Sequence, residues 1–138
     1  MKSRNNKQKR KLQAIMCEHK QDKDFILNNV KRTIDILEYA DKKLLNNKQF
    51  MIDVFKVSSG LALKYASDEL KNDKECVVQA LQNSAGFALK YANENLQSDR
   101  EIVSAAIKRW RYPLRYSSVE LQKEFNSKID EYYKKHKI

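Results

Sequence analysis

The chain has 138 residues, a formal net charge of +10 and 41% hydrophobic residues. This length predicts one domain with a continuous core and excludes two independent domains. Two glycines and one proline leave few places for tight turns. A strand-rich fold is therefore excluded, and the abundant Lys, Glu, Leu, Ala and Gln favour helix nearly throughout.

The first 20 residues hold much of the excess positive charge. They carry 7 Lys or Arg against 1 acid, whereas residues 21–122 carry 16 against 14. Residues 1–11, MKSRNNKQKRK, predict a basic flexible arm or a frayed helix start before a single helical domain at 12–138. Such an arm suits nucleic acid or an anionic membrane surface, and it also fits a solubilising tail. A capping helix is predicted next, from about Lys9 to Lys20.

A sequence motif then recurs along the chain. Leu63-Lys64-Tyr65-Ala66 returns as Leu89-Lys90-Tyr91-Ala92. Its tyrosine recurs at spacings of 26, 26 and 25, at Tyr39, Tyr65, Tyr91 and Tyr116. A residue that can cap a helix recurs with it, at Asp22, Asn47, Asp73 and Asp99. Four degenerate units of about 26 residues are therefore predicted, at about 22–46, 47–72, 73–98 and 99–121.

Each unit is predicted to hold two helices. The first has a wide apolar stripe, and the second carries apolar residues at i, i+3 and i+7, as in Leu63, Ala66 and Leu70. Gly60 and Gly86 are expected to end the first helices, where a residue free to adopt positive φ suits a reversal. Because one helix pair cannot bury its own apolar face, the units should stack into a short curved array.

A C-terminal helix is predicted at about 117–136. Ser117 and Glu120 have the spacing of a capping box at its start. Its apolar face consists of Leu121, Phe125, Ile129 and Tyr132. This face would close the stack or dock onto another chain, which would make the protein a homo-oligomer.

The pattern resembles the bacterial repeat family known as domain of unknown function 4116 (DUF4116), whose copies read like ALxYASEELKNDREVVLAAVxxNG. The resemblance is close over Leu63–Gly86 and Leu89–Ile107. The first copy lacks the glycine, and Arg109–Pro113 replaces the usual turn in the last copy. The family carries no established activity, so the resemblance implies an all-α repeat fold and no particular chemistry.

The recurring tyrosines have two interpretations. Tyr39, Tyr65, Tyr91 and Tyr116 could line a groove that binds a peptide, because amphipathic rings are effective contact residues. Alternatively, their rings pack between units and their hydroxyls stay in water.

The best binding candidate is the basic and aromatic segment where the repeat pattern breaks. Its members are Lys108, Arg109, Trp110, Arg111, Tyr112 and Arg115, followed by Tyr116. Alternating cations and rings could hold an acidic protein surface or stack with single-stranded nucleic acid. In the other interpretation, Trp110 fills the space of the missing turn and the arginines are simply solvated.

The sequence favours no enzymatic site, cofactor or metal. Cys17 and His19 are two residues apart and would point in different directions on a helix. Cys76 lies on a predicted buried stripe, and His136 lies near the C-terminus. Two cysteines give no disulfide framework and, with no apolar run long enough for a bilayer or a signal peptide, predict a cytoplasmic protein without membrane insertion. An export signal read by a specialised secretion machine would leave no trace in this pattern.

The expected function is a non-catalytic protein-interaction module, which would regulate or inhibit one partner with an acidic surface. The alternative is nucleic-acid binding through the N-terminal arm and the Lys108–Tyr116 segment. The two differ in the salt dependence that they predict.

Overall fold

The structure, a computed structural model, describes residues 2–109 and 111–136, with side chains from residue 5 onward. These residues form helices and turns without a strand, which confirms the all-α fold class. The α-helices are α1 (Lys2–His19), α2 (Lys23–Asn29), α3 (Lys42–Leu45), α4 (Lys48–Val57), α5 (Asp68–Lys71), α6 (Lys74–Gln82), α7 (Glu94–Gln97), α8 (Arg100–Ile107) and α9 (Val119–His136). The 3₁₀ helices are η1 (Ile34–Tyr39), η2 (Gly60–Tyr65), η3 (Phe87–Tyr91) and η4 (Tyr112–Tyr116).

An opening α-helix, a 3₁₀ helix and a further α-helix follow one another four times from α2 to α9. We call each such series a unit. The opening helices begin where the sequence predicts, after a side-chain oxygen that accepts a hydrogen bond from a first-turn amide. The caps and their donors are Asp22 with Phe25, Asn47 with Phe50, Asp73 with Cys76 and Asp99 with Ile102.

The second half of each unit differs from the predicted single helix. In the second unit, η2 ends at Tyr65, Ala66 is extended with ψ 157°, and α5 starts again at Asp68. The break follows from a contact between units, because the Ser67 amide donates to the Leu45 carbonyl at 3.0 Å. A backbone in that orientation cannot continue the helix. Equivalent bonds run from Asp41 to Lys20, from Asn93 to Lys71 and from Ser118 to Gln97.

The recurring leucine and alanine positions form the core. Leu63 and Leu89 are fully buried, and Ala66 and Ala92 are buried beside them. The opening helices contribute the rest of the interior, including Phe55, Val77 and Val103. One continuous apolar cluster therefore runs through all four units, as stacked units that cannot bury their own faces require.

The two glycines allow adjacent units to approach closely. A Cβ at Gly60 would lie 1.8 Å from the Ala80 carbonyl oxygen, and one at Gly86 would lie 1.9 Å from that of Ala106. Gly86 has the predicted positive φ, at 86°, but the same prediction is wrong for Gly60. Gly60 is required instead because a side chain there would collide with the next unit's backbone.

Ion pairs also join one unit to the next. They connect Lys48 to Asp73 at 3.2 Å and Lys74 to Asp99 at 2.8 Å. Within the last unit, Arg100 of α8 pairs with Glu124 of α9 at 2.7 Å. Lys48 also reaches Glu75 at 2.5 Å. Because Asp73 and Asp99 are helix caps as well, each of them orders its own helix and contacts the preceding unit.

Helices α1 and α9 lie at the two ends of the stack. α1 packs on η1, with Met16 buried and Leu12 half-buried. It begins at Lys2, so the segment predicted as an arm is helical from there on, and Met1 lies outside the described residues. In α9, Leu121 is buried and Phe125 packs on the core, whereas Tyr132 and Tyr133 are exposed. The N-terminal part of its predicted apolar face, Leu121 and Phe125, thus covers the end of the stack.

Candidate functional site

The four 3₁₀ helices lie side by side and form one surface of the stack. η1 packs on η2, η2 on η3, and η3 on η4. Each of these helices is followed by an extended residue, such as Ala66 or Ala92. The amide of the next residue, Ser67 or Asn93, donates a hydrogen bond to a carbonyl of the preceding unit. Residues at the same position in successive 3₁₀ helices therefore face the same way.

Three of these helices end in a cation followed by a tyrosine. We call this set the cationic ladder, and its rungs are Lys64–Tyr65, Lys90–Tyr91 and Arg115–Tyr116. Each cation lies over the ring that follows it, at 5.5, 5.1 and 5.8 Å from the ring centroid. The cations are exposed and the rings are half-buried. Such contacts orient a cation while leaving its charge available to a partner.

The ladder cations are free of acidic partners in the described part of the chain. None of Lys64, Lys90 and Arg115 lies within ion-pair distance of a carboxylate there. Arg115 instead donates a hydrogen bond to the Tyr112 hydroxyl and lies 5.0 Å from that ring's centroid. The ladder is thus a row of three positive charges held by aromatic rings.

An apolar row runs beside the ladder. It consists of Leu61, Phe87 and Tyr112, each four residues before a ladder tyrosine. Leu61 is 38% exposed and Tyr112 is 52% exposed. The Phe87 and Tyr112 rings contact each other across the boundary between η3 and η4, at 5.4 Å between centroids. A partner on this surface would meet both charge and apolar area.

The first 3₁₀ helix reverses the charge of this pattern. Glu38 precedes Tyr39 at the position of the ladder cations, and Asp35 lies nearby on the same helix. The Tyr65 hydroxyl donates to Asp35 Oδ1 at 2.6 Å. Burial, followed by this hydrogen bond, raises the pKa of Tyr65 well above its usual value, so the phenol remains protonated. The basic surface therefore begins at η2.

The four predicted tyrosines occupy equivalent half-buried positions. Tyr39, Tyr65, Tyr91 and Tyr116 all pack against the core. The Tyr65 hydroxyl is bonded to the preceding unit rather than only to water. These rings therefore have a packing role, and binding through them stays a prediction.

The predicted segment Lys108–Tyr116 divides into two parts. Lys108 and Arg109 are exposed after the end of α8, and Trp110 lies outside the described residues. Arg111, Tyr112 and Arg115 lie together and line a pocket of about 400 Å³ against α9. The other lining residues are Leu114, Gln122 and Asn126. Arg111 donates to the Asn126 side chain, which fixes it at the edge of the pocket.

Sequence reasoning missed the members of the surface that lie outside that segment. Lys64 and Lys90 were present in the repeated motif, but only the tyrosine was singled out. The recurrence of a cation directly before three of the four tyrosines was a signal that could have identified them. Leu61 and Phe87 gave no such signal, because apolar residues in a helical repeat are usually buried.

A second basic region lies at the start of α1. The side chains of Lys7, Lys9, Arg10 and Lys11 are exposed on two successive turns. Lys9 and Lys11 help to line a pocket of about 410 Å³ between α1 and η1, opposite Asp35, Glu38 and Tyr39. This region is separated from the ladder by the acidic residues of η1.

The residues most able to do covalent chemistry are not grouped. Cys76 is buried, and burial raises the pKa of its thiol to about 12. His19 stacks on Phe25 at 4.0 Å between centroids, and Cys17 is exposed. No cluster of three His, Cys, Asp or Glu side chains that could hold a metal occurs in the searched residues. No helix in the described ranges has both the length and the apolarity that crossing a bilayer demands.

Comparison with known proteins gives a family and no activity. The family model described as "Domain of unknown function (DUF4116)" matches residues 57–85 and 84–122. These two matches cover the whole ladder. No curated protein and no solved structure matches the chain.

Proposed function

Residues 57–122 belong to the DUF4116 repeat family, and on this premise we propose that the chain is a non-catalytic protein-interaction module that binds through the cationic ladder. In this role it regulates or inhibits one partner protein that has an acidic surface. The proposal applies to the surface formed by η2, η3 and η4.

The observation that carries the proposal is the repeated exposure of free cations over aromatic rings. Lys64, Lys90 and Arg115 occupy equivalent positions and have no carboxylate partner among the described residues. Complementary charge on a partner would steer encounter and fix the orientation of the complex. The exposed Tyr112 and Leu61 add the apolar contact from which most interface affinity comes.

We also propose that the protein is cytoplasmic, and its two cysteines support this. Cys76 is buried as a thiol and Cys17 is free, as expected in the reducing cytoplasm where we place the protein.

A capture experiment with matched variants tests the proposal. Wild-type chain, the ladder variant Lys64→Gln/Lys90→Gln/Arg115→Gln and the control variant Lys23→Gln/Lys42→Gln/Lys123→Gln are immobilised and exposed to extract of the native host. Both variants lose three exposed cations, so a general effect of net charge is the same in each. We expect one or a few proteins to be retained by wild type and control and lost from the ladder variant.

Quantitative mass spectrometry of the bound fractions provides the measurement. Circular dichroism of all three proteins should show the same helical signal. If no protein is retained differently by the ladder and control variants, the ladder is not the binding surface and the proposal is wrong.

Nucleic-acid binding is a second candidate, favoured by one observation. Lys7, Lys9, Arg10 and Lys11 are exposed on a regular helix and create a strong local positive field. Phosphate binding by such a cluster loses affinity steeply with salt, because each neutralised phosphate releases a counterion.

A gel-shift titration of single-stranded DNA at about 50 mM and about 200 mM salt tests this candidate. We expect wild type to bind more weakly at the higher salt and the variant Lys7→Gln/Lys9→Gln/Arg10→Gln/Lys11→Gln to lose most of the binding. The Lys23→Gln/Lys42→Gln/Lys123→Gln variant serves again as the control. If the α1 variant and the control variant bind the DNA equally well, the basic start of α1 is not the binding site.

A further inference from the structure

The spacing of the ladder restricts the shape of a partner. η2, η3 and η4 pack directly side by side, and the axes of packed helices are about 8–10 Å apart. Each contributes one cation from the same position. Because the three cations occupy the same position on adjacent helices, we take their spacing from the helix axes, at about 9 Å per step.

An extended chain can match this step in only some conformations. In polyproline II, three residues make one turn with about 3.1 Å rise each, so residues i, i+3 and i+6 lie on one face about 9 Å apart. In a β-strand, residues i and i+3 point to opposite faces. An α-helix reaches a similar step only with acids seven residues apart, since its rise is about 1.5 Å per residue.

The apolar row favours polyproline II over the helix. Leu61, Phe87 and Tyr112 lie beside the cations, and the Phe87 and Tyr112 rings contact each other. Surfaces lined with aromatic rings recognise polyproline II segments, whose fixed backbone loses little entropy on binding. In each turn of such a segment, one of the two residues between successive acids would pack on this row, and the other would face away from it.

We propose that the partner presents an extended acidic segment in polyproline II conformation, with carboxylates at i, i+3 and i+6 that pair with Lys64, Lys90 and Arg115. This inference rests on the proposed function and specifies the partner. The carboxylates form charge-assisted hydrogen bonds with the cations, and one intervening residue of each turn contacts the row of Leu61, Phe87 and Tyr112.

The acids of η1 set the end of the bound segment. A fourth carboxylate, placed beyond the one on Lys64, would face Asp35 and Glu38. Like charges repel at that point, so a lysine there should bind better than a glutamate. The surface therefore favours a basic residue, rather than a fourth acid, three residues beyond the carboxylate that pairs with Lys64.

Fluorescence anisotropy with synthetic peptides tests the spacing. The probe peptide contains Glu-Pro-Pro-Glu-Pro-Pro-Glu, and a second peptide has the same composition with its three glutamates adjacent. A third is a helix-forming peptide with glutamates seven residues apart. We expect the adjacent-acid and helical peptides to bind at least about tenfold more weakly than the probe, a factor of ten being about 1.4 kcal/mol.

Matched variants connect the result to the ladder. Lys90→Gln, the central rung, should weaken the probe peptide about tenfold, whereas Lys42→Gln should leave it unchanged. A lysine added three residues beyond one terminal glutamate should tighten binding to wild type, and this gain should vanish in Asp35→Asn/Glu38→Gln.

The outcomes separate this inference from the proposed function. Equal binding of the probe and adjacent-acid peptides, still weakened by Lys90→Gln, would overturn the spacing and leave the ladder as a binding surface. Tighter binding of the helical peptide would overturn the polyproline II conformation. Absence of binding by every peptide would overturn the extended segment, even if a folded protein is captured from extract in a ladder-dependent way.

Discussion

Two series of cations recur with the repeat, and they differ in what they contact. Lys48, Lys74 and Arg100 stand at the first position of their opening helices. The two lysines pair with acids of the following unit, and Arg100 pairs with Glu124 of α9, the last helix of its own unit. Lys64, Lys90 and Arg115 stand at the ends of the 3₁₀ helices and lie over their own tyrosines. Both series consist of two lysines and an arginine, at spacings of 26 and 26 in the first and of 26 and 25 in the second.

The difference follows from where the next unit lies. The first series points along the stack toward the caps Asp73 and Asp99, so its charges are neutralised within the fold. The second series is exposed on the surface of the stack. Geometry therefore divides the periodic charge of this repeat protein into cations that are paired within the stack and cations that are exposed on its surface.

The largest expected effect comes from the close approach of two units. Gly86→Ala would place a Cβ 1.9 Å from the Ala106 oxygen at a residue with φ 86°. We expect it to lower the free energy of unfolding by about 3 kcal/mol, through strain and overpacking. Urea denaturation followed by circular dichroism measures this loss. Ser104→Ala, at an exposed position of α8, is the control, and a Gly86→Ala protein as stable as that control would contradict the packing.

A moderate effect is expected at a cap that also receives an ion pair. Asp73→Ala removes the acceptor for the Cys76 amide at 2.9 Å and the partner of Lys48. We expect a loss of about 1–2 kcal/mol in the free energy of unfolding. Asp73→Asn keeps a capping oxygen and loses only the charge, so its loss should be smaller, at about 0.5 kcal/mol. Equal losses would mean that the ion pair, and not the cap, matters at this position.

A smaller effect should appear as a dependence on pH. The hydrogen bond from Lys74 lowers the pKa of Asp99, and two backbone amides that bond the carboxylate add to the shift. A lowered pKa in the folded state stabilises the protein above the unfolded-state pKa of about 4, and this stabilisation is lost as the pH falls through the folded-state pKa. Denaturation midpoints between pH 7 and pH 3 should therefore fall more steeply for wild type than for Asp99→Asn. Parallel curves would contradict this assignment.

The smallest effect on stability is expected from the ladder itself. Lys64→Gln/Lys90→Gln/Arg115→Gln should change the free energy of unfolding by less than about 0.5 kcal/mol, because exposed substitutions without ion-pair partners have little effect. The same variant should fail to bind the partner. A loss of stability as large as that of Asp73→Ala would show that the ladder supports the stack and would remove the contrast between the two series.

Features that depend on neighbouring residues were predicted well. The caps at Asp22, Asn47, Asp73 and Asp99 lie where the sequence places them, because a cap bonds an amide two or three residues away. The recurring Leu and Ala positions are also buried as predicted, although Leu63, Ala66 and Leu70 lie on a 3₁₀ helix, an extended residue and a short α-helix rather than on one helix.

Features that depend on another unit were not predictable in this way. The break after Tyr65 exists because the Ser67 amide bonds to Leu45 in the preceding unit. The requirement for Gly60 arises from the Ala80 carbonyl. For the candidate surface, the sequence predicts Tyr65, Tyr91 and residues 111–116 as binding candidates, but it does not predict Lys64 and Lys90.

The sequence by itself determined the period, the helical class and the starts of the opening helices, since these follow from burial of regularly spaced apolar residues and from hydrogen bonds within one turn. Only the tertiary structure decided which cations are neutralised and which face outward. Pairs such as Lys74 and Asp99 are 25 residues apart, and whether their side chains meet depends on how one unit is placed on the next.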